Sequence, residues 1–214
     1  MIFLYLLLII ASYFIGAIPT GVILAKAFGG RDIRQEGSGN IGATNVTRVL
    51  GKKVGALTLV GDLLKGFLPV WAGATITGSL GVACLMGLAA FLGHLFPIYL
   101  KFKGGKGVAT ALGVFLFLSP LVILIEVVVF AASVAIWKYV SLGSMLAAGT
   151  MPVLLYLLSS PMPVVFLSIV FAILIIIKHS SNIQRLLSGT ENKIGQKKSK
   201  TAENAEHAEN KANS

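Results

Sequence analysis

Three short segments of this chain combine the residue types that hold phosphate, and each borders an apolar run. The first, residues 31–53, reads RDIRQEGSGNIGATNVTRVLGKK. Gly37-Ser38-Gly39-Asn40-Ile41-Gly42 matches the G-x-G-x-x-G pattern, but a dinucleotide site needs a preceding β-strand, and the neighbour here is an apolar, helix-like run. The physics of the pattern still applies. Glycines let backbone approach an anion, and a helix starting near Ala43 would offer its free amides. Ser38, Asn40, Thr44 and Asn45 add donors, and Arg48 follows Thr44 by one turn. A tight polar turn with an ordinary helix cap fits this segment equally well when it is taken alone.

The second segment, KFKGGKGVAT at 101–110, resembles a nucleotide-binding lysine loop. Gly107 stands where Ser or Thr is needed to hold magnesium, and no strand precedes the loop, so ATP hydrolysis is not supported. What remains is a Gly104-Gly105 hairpin presenting Lys106 just before the amino end of a helix, a setting that suits phosphate. A simple membrane anchor would need the lysines but not the three glycines. The third segment, KHSSNIQRLLSGTENKIG at 178–195, spaces His179, Asn182 and Arg185 by three, along one helix face. Imidazole, amide and guanidinium in line could grip a polyol phosphate; the plainer reading is a polar exit helix.

The elements that must position these loops are membrane helices. Of 214 residues, 56% are hydrophobic and 12% charged, about half the charge of a soluble domain. Eighteen Lys and Arg stand against eight Asp and Glu, but the cations flank apolar runs, unlike the aromatic-laced basic face of a nucleic-acid binder. Cys84, alone in LGVACLMGLAAFLG, excludes disulfide scaffolds and cysteine metal sites. Apolar runs extend from Ile2 to Lys26, Val54 to about Thr77, Leu80 to Leu100, Val108 to Trp137, Ser141 to Leu158 and Pro163 to Ile177. The first lacks a leading positive charge and is read as a retained helix rather than a signal peptide. The fourth is long, and Ser119-Pro120 divides it.

That division gives an all-α, polytopic membrane protein of about seven helices, the fourth of them short. With the N-terminus outside, segments 27–53, 101–107, residue 138 and 178–214 share one face, and the opposite connections TITGS, SP and SSPMP carry no charge. The positive-inside rule makes the basic face, with the C-terminus, cytoplasmic. Residues 1–195 form the expected membrane domain. Residues 196–214 are a charged low-complexity tail with too little apolar material to fold, and His207 within it is read as solvated. Asp62 and Lys65, three apart, are expected to pair near the cytoplasmic end of a second span that starts later than Val54. Glu126 and His94 are read as structural, His94 with the alternative of flooring the site about 10 Å below Lys101.

Taken together, GSGNIGATN with Arg48, DLLKG, FKGGKGVAT and HSSNIQRLLSGTE resemble the three motifs of the bacterial acyl-phosphate:glycerol-3-phosphate acyltransferase family, the PlsY type. The resemblance runs to about Gly195 and leaves out the tail. One departure is Ser180, where the family often has Arg after the histidine; it implies one lost phosphate or headgroup contact. The resemblance implies transfer of a fatty acyl group from acyl phosphate to the 1-hydroxyl of glycerol 3-phosphate, giving lysophosphatidic acid and phosphate at the cytoplasmic face of a bacterial inner membrane. It implies membrane lipid as surroundings, an association with the enzyme that makes acyl phosphate, and no cofactor. No metal site is expected, since the histidines are far apart and the acids scattered. By the resemblance, His179, Lys106 and Ser38 carry catalysis. Ser38, Arg48 and Lys106 would hold phosphates, His179 and Asn182 the glycerol, with Gly39, Asn40, Thr44, Asn45, Gly104, Gly105 and Arg185 supporting. The hydroxyl proton would pass to His179 or to a substrate phosphate oxygen. The soluble-faced acyltransferases that use His-x-x-x-x-Asp are excluded, because Tyr99, Gln184 and Ala212 stand five after the three histidines. A transporter for phosphate or a phosphorylated metabolite is the rival from another class. It would be expected to show inverted halves with broken helices at mid-membrane, which the sequence lacks.

Overall fold

The computed structural model describes residues 1–195, so the expected tail and His207 lie outside the described residues. Among the described residues every regular element is helical: α1 (Ile2–Ala17), α2 (Thr20–Gly29), α3 (Ala43–Leu50), α4 (Lys52–Thr77), α5 (Leu80–Leu95), α6 (Val108–Leu118), α7 (Pro120–Trp137), α8 (Val140–Leu157), α9 (Met162–Lys178) and α10 (Ser180–Leu187). Two short 3-10 turns, Ile33–Gln35 and Ile98–Leu100, punctuate the loops. In hydrocarbon, a helix satisfies every backbone group within its own segment, which is why apolar runs of this length become helices.

Among the described residues, five stretches are long and apolar enough to cross a membrane: Ile2–Gly29, Lys52–Thr77, Leu80–Leu100, Pro120–Trp137 and Val140–Leu157. A sixth forms from α9 and α10 together, bent by 56° at their junction. The protein is thus a multi-pass membrane protein. The expected first span differs in detail: Pro19, which has no N–H to give, separates α1 from α2. The break at Ser119-Pro120 is where the sequence placed it, with α6 ending at Leu118 and Pro120 opening α7. Helix α4 is continuous from Lys52. Its first turns pack on α3, where a Cβ at Gly55 would lie 1.8 Å from the Thr47 hydroxyl oxygen.

Helix contacts rest on small residues, as expected where lipid gives no hydrophobic drive for helices to associate. A Cβ at Gly16 would sit 1.9 Å from the Ala90 carbonyl oxygen, and one at Gly93 2.2 Å from that of Tyr13, so α1 and α5 meet backbone to backbone. Gly66 and Gly113 do the same for α4 and α6, against Thr110 and Leu63. Beneath the polar loops, Phe91 and Phe171 stack with ring centroids 3.8 Å apart, and Phe115 meets Phe171 edge-on at 5.2 Å. This aromatic plug joins α5, α6 and α9.

Helix α6 has 11 residues and so is about 16 Å long, half of a ~30 Å bilayer core. The loop before it makes up the difference by descending along α5. Gly105 donates its N–H to the His94 carbonyl at 3.1 Å, and a Cβ at Gly107 would lie 2.2 Å from the Phe91 ring. Helix α6 therefore begins level with Phe91, about 6 Å below the end of α5 at Leu95. Non-helical backbone at that depth is tolerated where it is buried in protein or lines a polar cavity.

Candidate active site

Loops 34–41 and 99–106 and the start of α10 surround one cavity of about 530 Å³, inside the usual ~300–1,000 Å³ range of small-ligand sites. Ser38, Gly39, Asn40, Gly104, Lys106 and Arg185 line it, together with Arg34, Ile41, Tyr99, Leu100, Lys101, Lys103 and Ser181. All three segments picked out from sequence thus converge on one cavity at one end of the helices. Residue 138 shares that end, since Ile194 N–H donates to the Lys138 carbonyl at 2.8 Å.

The first loop is built around Asn45. Its Oδ1 accepts the Ser38 N–H at 2.8 Å, and its Nδ2 donates to the carbonyls of Ile33, Glu36 and Asn40 at 3.2, 2.9 and 2.9 Å. Gly37, at φ +61°, passes so close that a Cβ would meet Asn45 Oδ1 at 2.3 Å. Asn45, expected to support the substrate, is instead 2% exposed, off the cavity lining, with its amide bonded to backbone, so it organises the loop. Asn40 lines the cavity, but its Oδ1 already accepts the Gly42 N–H at 2.8 Å, closing the turn into α3. Thr44 and Arg48 are exposed on α3 and do not line the cavity, although the Arg48 charge is felt at Lys106.

Lys106 donates to Asn182 Oδ1. Asn182 is fixed in turn, its Nδ2 donating to Glu191 Oε1 at 2.7 Å. Glu191 also accepts from the Ser141 hydroxyl at 2.8 Å and from Arg185 Nε at 2.7 Å. Glu191 is thus the hub that points the Asn182 oxygen at Lys106 and holds Arg185 on the cavity wall. Burial opposes its ionisation, but the hydrogen bonds from Asn182, Ser141 and Arg185 outweigh that and leave its pKa below the ordinary value. Burial also lowers the Lys106 pKa, to about 8, with Arg185 and Arg48 pushing the same way and Glu191 opposing. An ammonium half-buried beside an open cavity has the chemistry to take an anion.

His179 occupies the 56° elbow between α9 and α10. Its Nδ1 lies 2.8 Å from the Ile175 carbonyl oxygen, which can only accept, so Nδ1 carries the proton and a neutral ring offers its lone pair at Nε2. His179, expected to address the glycerol, is 2% exposed and is not among the residues that line the cavity. Gly105 is likewise buried, as floor. Sequence reasoning passed over three residues with site roles. Glu191 was quoted only as part of a motif, although a lone acid six after Arg185 in a basic segment was a usable signal. Arg34 and Ser181 gave no such signal, and Arg34 is clasped by Asp32 through contacts of 2.9 and 2.6 Å.

Comparisons with known proteins place the chain as a whole. A family model described as glycerol-3-phosphate acyltransferase matches residues 6–189. A curated relative from Syntrophotalea carbinolica, called glycerol-3-phosphate acyltransferase, is 53% identical over 192 residues, which is 89% of this chain and 97% of the relative. Another of the same name, from Desulfotalea psychrophila, is 55% identical over 184 residues, 84% of this chain and 93% of its own. Among solved structures, PlsY, an integral membrane glycerol 3-phosphate acyltransferase in its glycerol 3-phosphate form, matches with a TM-score of 0.85 at 45% identity, covering 89% of this chain and 96% of that one. Its lysophosphatidic acid form matches at 0.83 and 44%, covering 89% and 95%. One matched stretch takes in both glycine loops and the His179–Arg185 face, on a shared helical frame: the chain belongs to the glycerol-3-phosphate acyltransferase family.

Proposed function

We propose that this protein transfers a fatty acyl group from acyl phosphate to the sn-1 hydroxyl of glycerol 3-phosphate, releasing lysophosphatidic acid and phosphate. The observation that carries the reading is the single cavity in which Lys106, on its sunken glycine loop, faces the Ser38-Gly39 turn and Arg185. Two phosphorylated substrates need two sets of cationic and amide donors in one chamber, and these loops supply them. A membrane setting suits the donor, whose acyl chain gains ~0.8 kcal/mol for each methylene buried in the bilayer. The acceptor, a small dianion, would enter from the water-filled side.

Acyl phosphate is a mixed anhydride with a good leaving group, so no acyl-enzyme intermediate is required. The glycerol hydroxyl oxygen attacks the acyl carbon, and the bond from that carbon to the phosphate oxygen breaks. The hydroxyl proton passes to His179 Nε2 or to a phosphate oxygen of the substrates. Lys106 would exchange the Asn182 oxygen for phosphate and stabilise the negative charge that grows on the leaving group. The same exchange would uncover Asn182 and His179 for the glycerol hydroxyls. Most of the acceleration would then come from positioning and charge.

We further infer seven passes, with Met1 outside and the cavity facing the cytoplasm of a bacterial inner membrane; the positive charge around the cavity supports that orientation. The test uses purified protein in lipid vesicles with palmitoyl phosphate and labelled glycerol 3-phosphate. Labelled lysophosphatidic acid is expected, and both Lys106→Ala and His179→Ala should abolish it while the protein still inserts normally. Label gathering inside the vesicles without lipid product would replace this reading with transport.

A further inference from the structure

Asp62, Lys65 and His94 form a cluster of ionisable groups among α2, α4 and α5, each no more than 5% exposed. Lys65 Nζ lies 2.8 Å from Asp62 Oδ1 and donates at 2.9 Å to the carbonyl of Ile18, at the break before Pro19. Asp62 Oδ1 is also 3.8 Å from His94 Nδ1, which has no hydrogen-bond partner among the described residues. Ionisable groups buried this deep are expensive, and well-packed apolar side chains would fill the same space without that cost. Their presence here calls for a role.

The loop above supplies one. The His94 carbonyl accepts the Gly105 N–H, and a Cβ at Gly105 would come within 2.2 Å of His94 Nε2. The imidazole edge is the floor on which the backbone just before Lys106 rests. On the other side, Lys65 grips the Ile18 carbonyl at the start of α2, and Gly21 of α2 packs so close that a Cβ there would be 2.0 Å from the Ile41 carbonyl oxygen of the first loop. Both glycine loops are thereby referenced to one buried cluster.

We propose that His94, packed beside the Asp62–Lys65 pair, is a positioning residue that sets the depth of Lys106 relative to the Ser38 turn. The proposal rests on the acyltransferase reading only in naming the ligand. Because His94 acts through loop position, its loss should raise KM for glycerol 3-phosphate more than it lowers kcat.

Size exchange tests this. In full-length protein in vesicles, equilibrium binding of tritiated glycerol 3-phosphate and of inorganic phosphate is measured beside turnover. Gly105→Ala should weaken binding by ~10-fold or more, because its methyl lands on the ring, and adding His94→Ala should restore at least ~5-fold of that. Gly104→Ala should not be restored, since its methyl would meet the His94 carbonyl oxygen at 2.1 Å, and that atom remains in every variant. If His94→Ala fails to give a monodisperse protein, His94→Asn makes similar space with a polar side chain and carries the same test. A double variant no better than Gly105→Ala, rescue of Gly104→Ala as well, or wild-type KM in His94→Leu overturns the proposal. Wild-type protein that binds phosphate but makes no lipid would sink the acyltransferase reading while the binding arm still decides His94.

Discussion

If Lys106 must be an ammonium to hold phosphate, the alkaline side of the rate profile belongs to it. Its pKa of about 8 lies well below the ordinary lysine value of 10.5, so burial, with Arg185 and Arg48, sets it on the order of 3 kcal/mol against the charged form. In the free enzyme about half of the lysines are charged at pH 8, and roughly one in ten at pH 9. The profile of kcat/KM reports the free enzyme and should fall above pH 8 by ~10-fold per unit. A bound phosphate dianion supplies the missing countercharge, so the alkaline limb of kcat should lie at higher pH. The assay is initial-rate acylation of labelled glycerol 3-phosphate from pH 6 to 10, with spontaneous donor hydrolysis subtracted. Unfolding would not produce the same limb. A lysine whose folded pKa is depressed from 10.5 to about 8 makes the fold more stable, not less, as pH rises through that window, because only the unfolded chain still binds the proton. Lys106→Arg keeps its charge across the range and should flatten the limb, at lower overall rate, because a planar guanidinium docks differently. A kcat/KM profile flat to pH 10, or a limb unchanged in Lys106→Arg, would refute the reasoning.

Glu191→Gln removes the charge that favours the Lys106 ammonium and a strong partner of Arg185; turnover should drop ~10-fold or more and the alkaline limb should move to lower pH, read from the same profiles. Asn45→Ala leaves the Ser38 N–H and three carbonyls without their partner, an expected loss of about 1–3 kcal/mol seen as a lower unfolding midpoint in detergent. Asn45→Asp should be worse than Asn45→Ala despite its closer shape, because a carboxylate oxygen would then face those carbonyls; equal midpoints would contradict the hub role. In a Cys84→Ser background, Lys53→Cys should react with an impermeant maleimide only in opened cells, and Ser79→Cys in intact ones. The reverse pattern would overturn the proposed orientation.

The amino-acid order alone determined the class of this protein and the location of its chemistry. Apolar runs with charge confined to their ends dictate membrane helices, because no other short segment can satisfy its backbone in lipid. Pro120 marked the start of α7 and Gly42-Ala43 the start of α3, since both breaks are written in local backbone preference. The three polar segments could be assigned to one face because cation placement is a property of the chain as a whole. Pro19 was as legible as Pro120 and went unread inside an otherwise uniform apolar run.

What only the tertiary structure decided is which polar atoms face the cavity. Asn40 and Asn45 are the same residue type in one motif, yet one lines the cavity while the other is spent entirely on holding the loop. Spacing put His179, Asn182 and Arg185 on one face, but with the elbow at His179 Arg185 reaches the cavity wall while His179 does not. Glu191 is bonded by Ser141, 50 residues away, and His94 packs beside Asp62, 32 residues away. Local sequence specifies which groups a segment can offer. Burial and the direction of each hydrogen bond are fixed by what packs against it, and for those groups the partners come from distant helices.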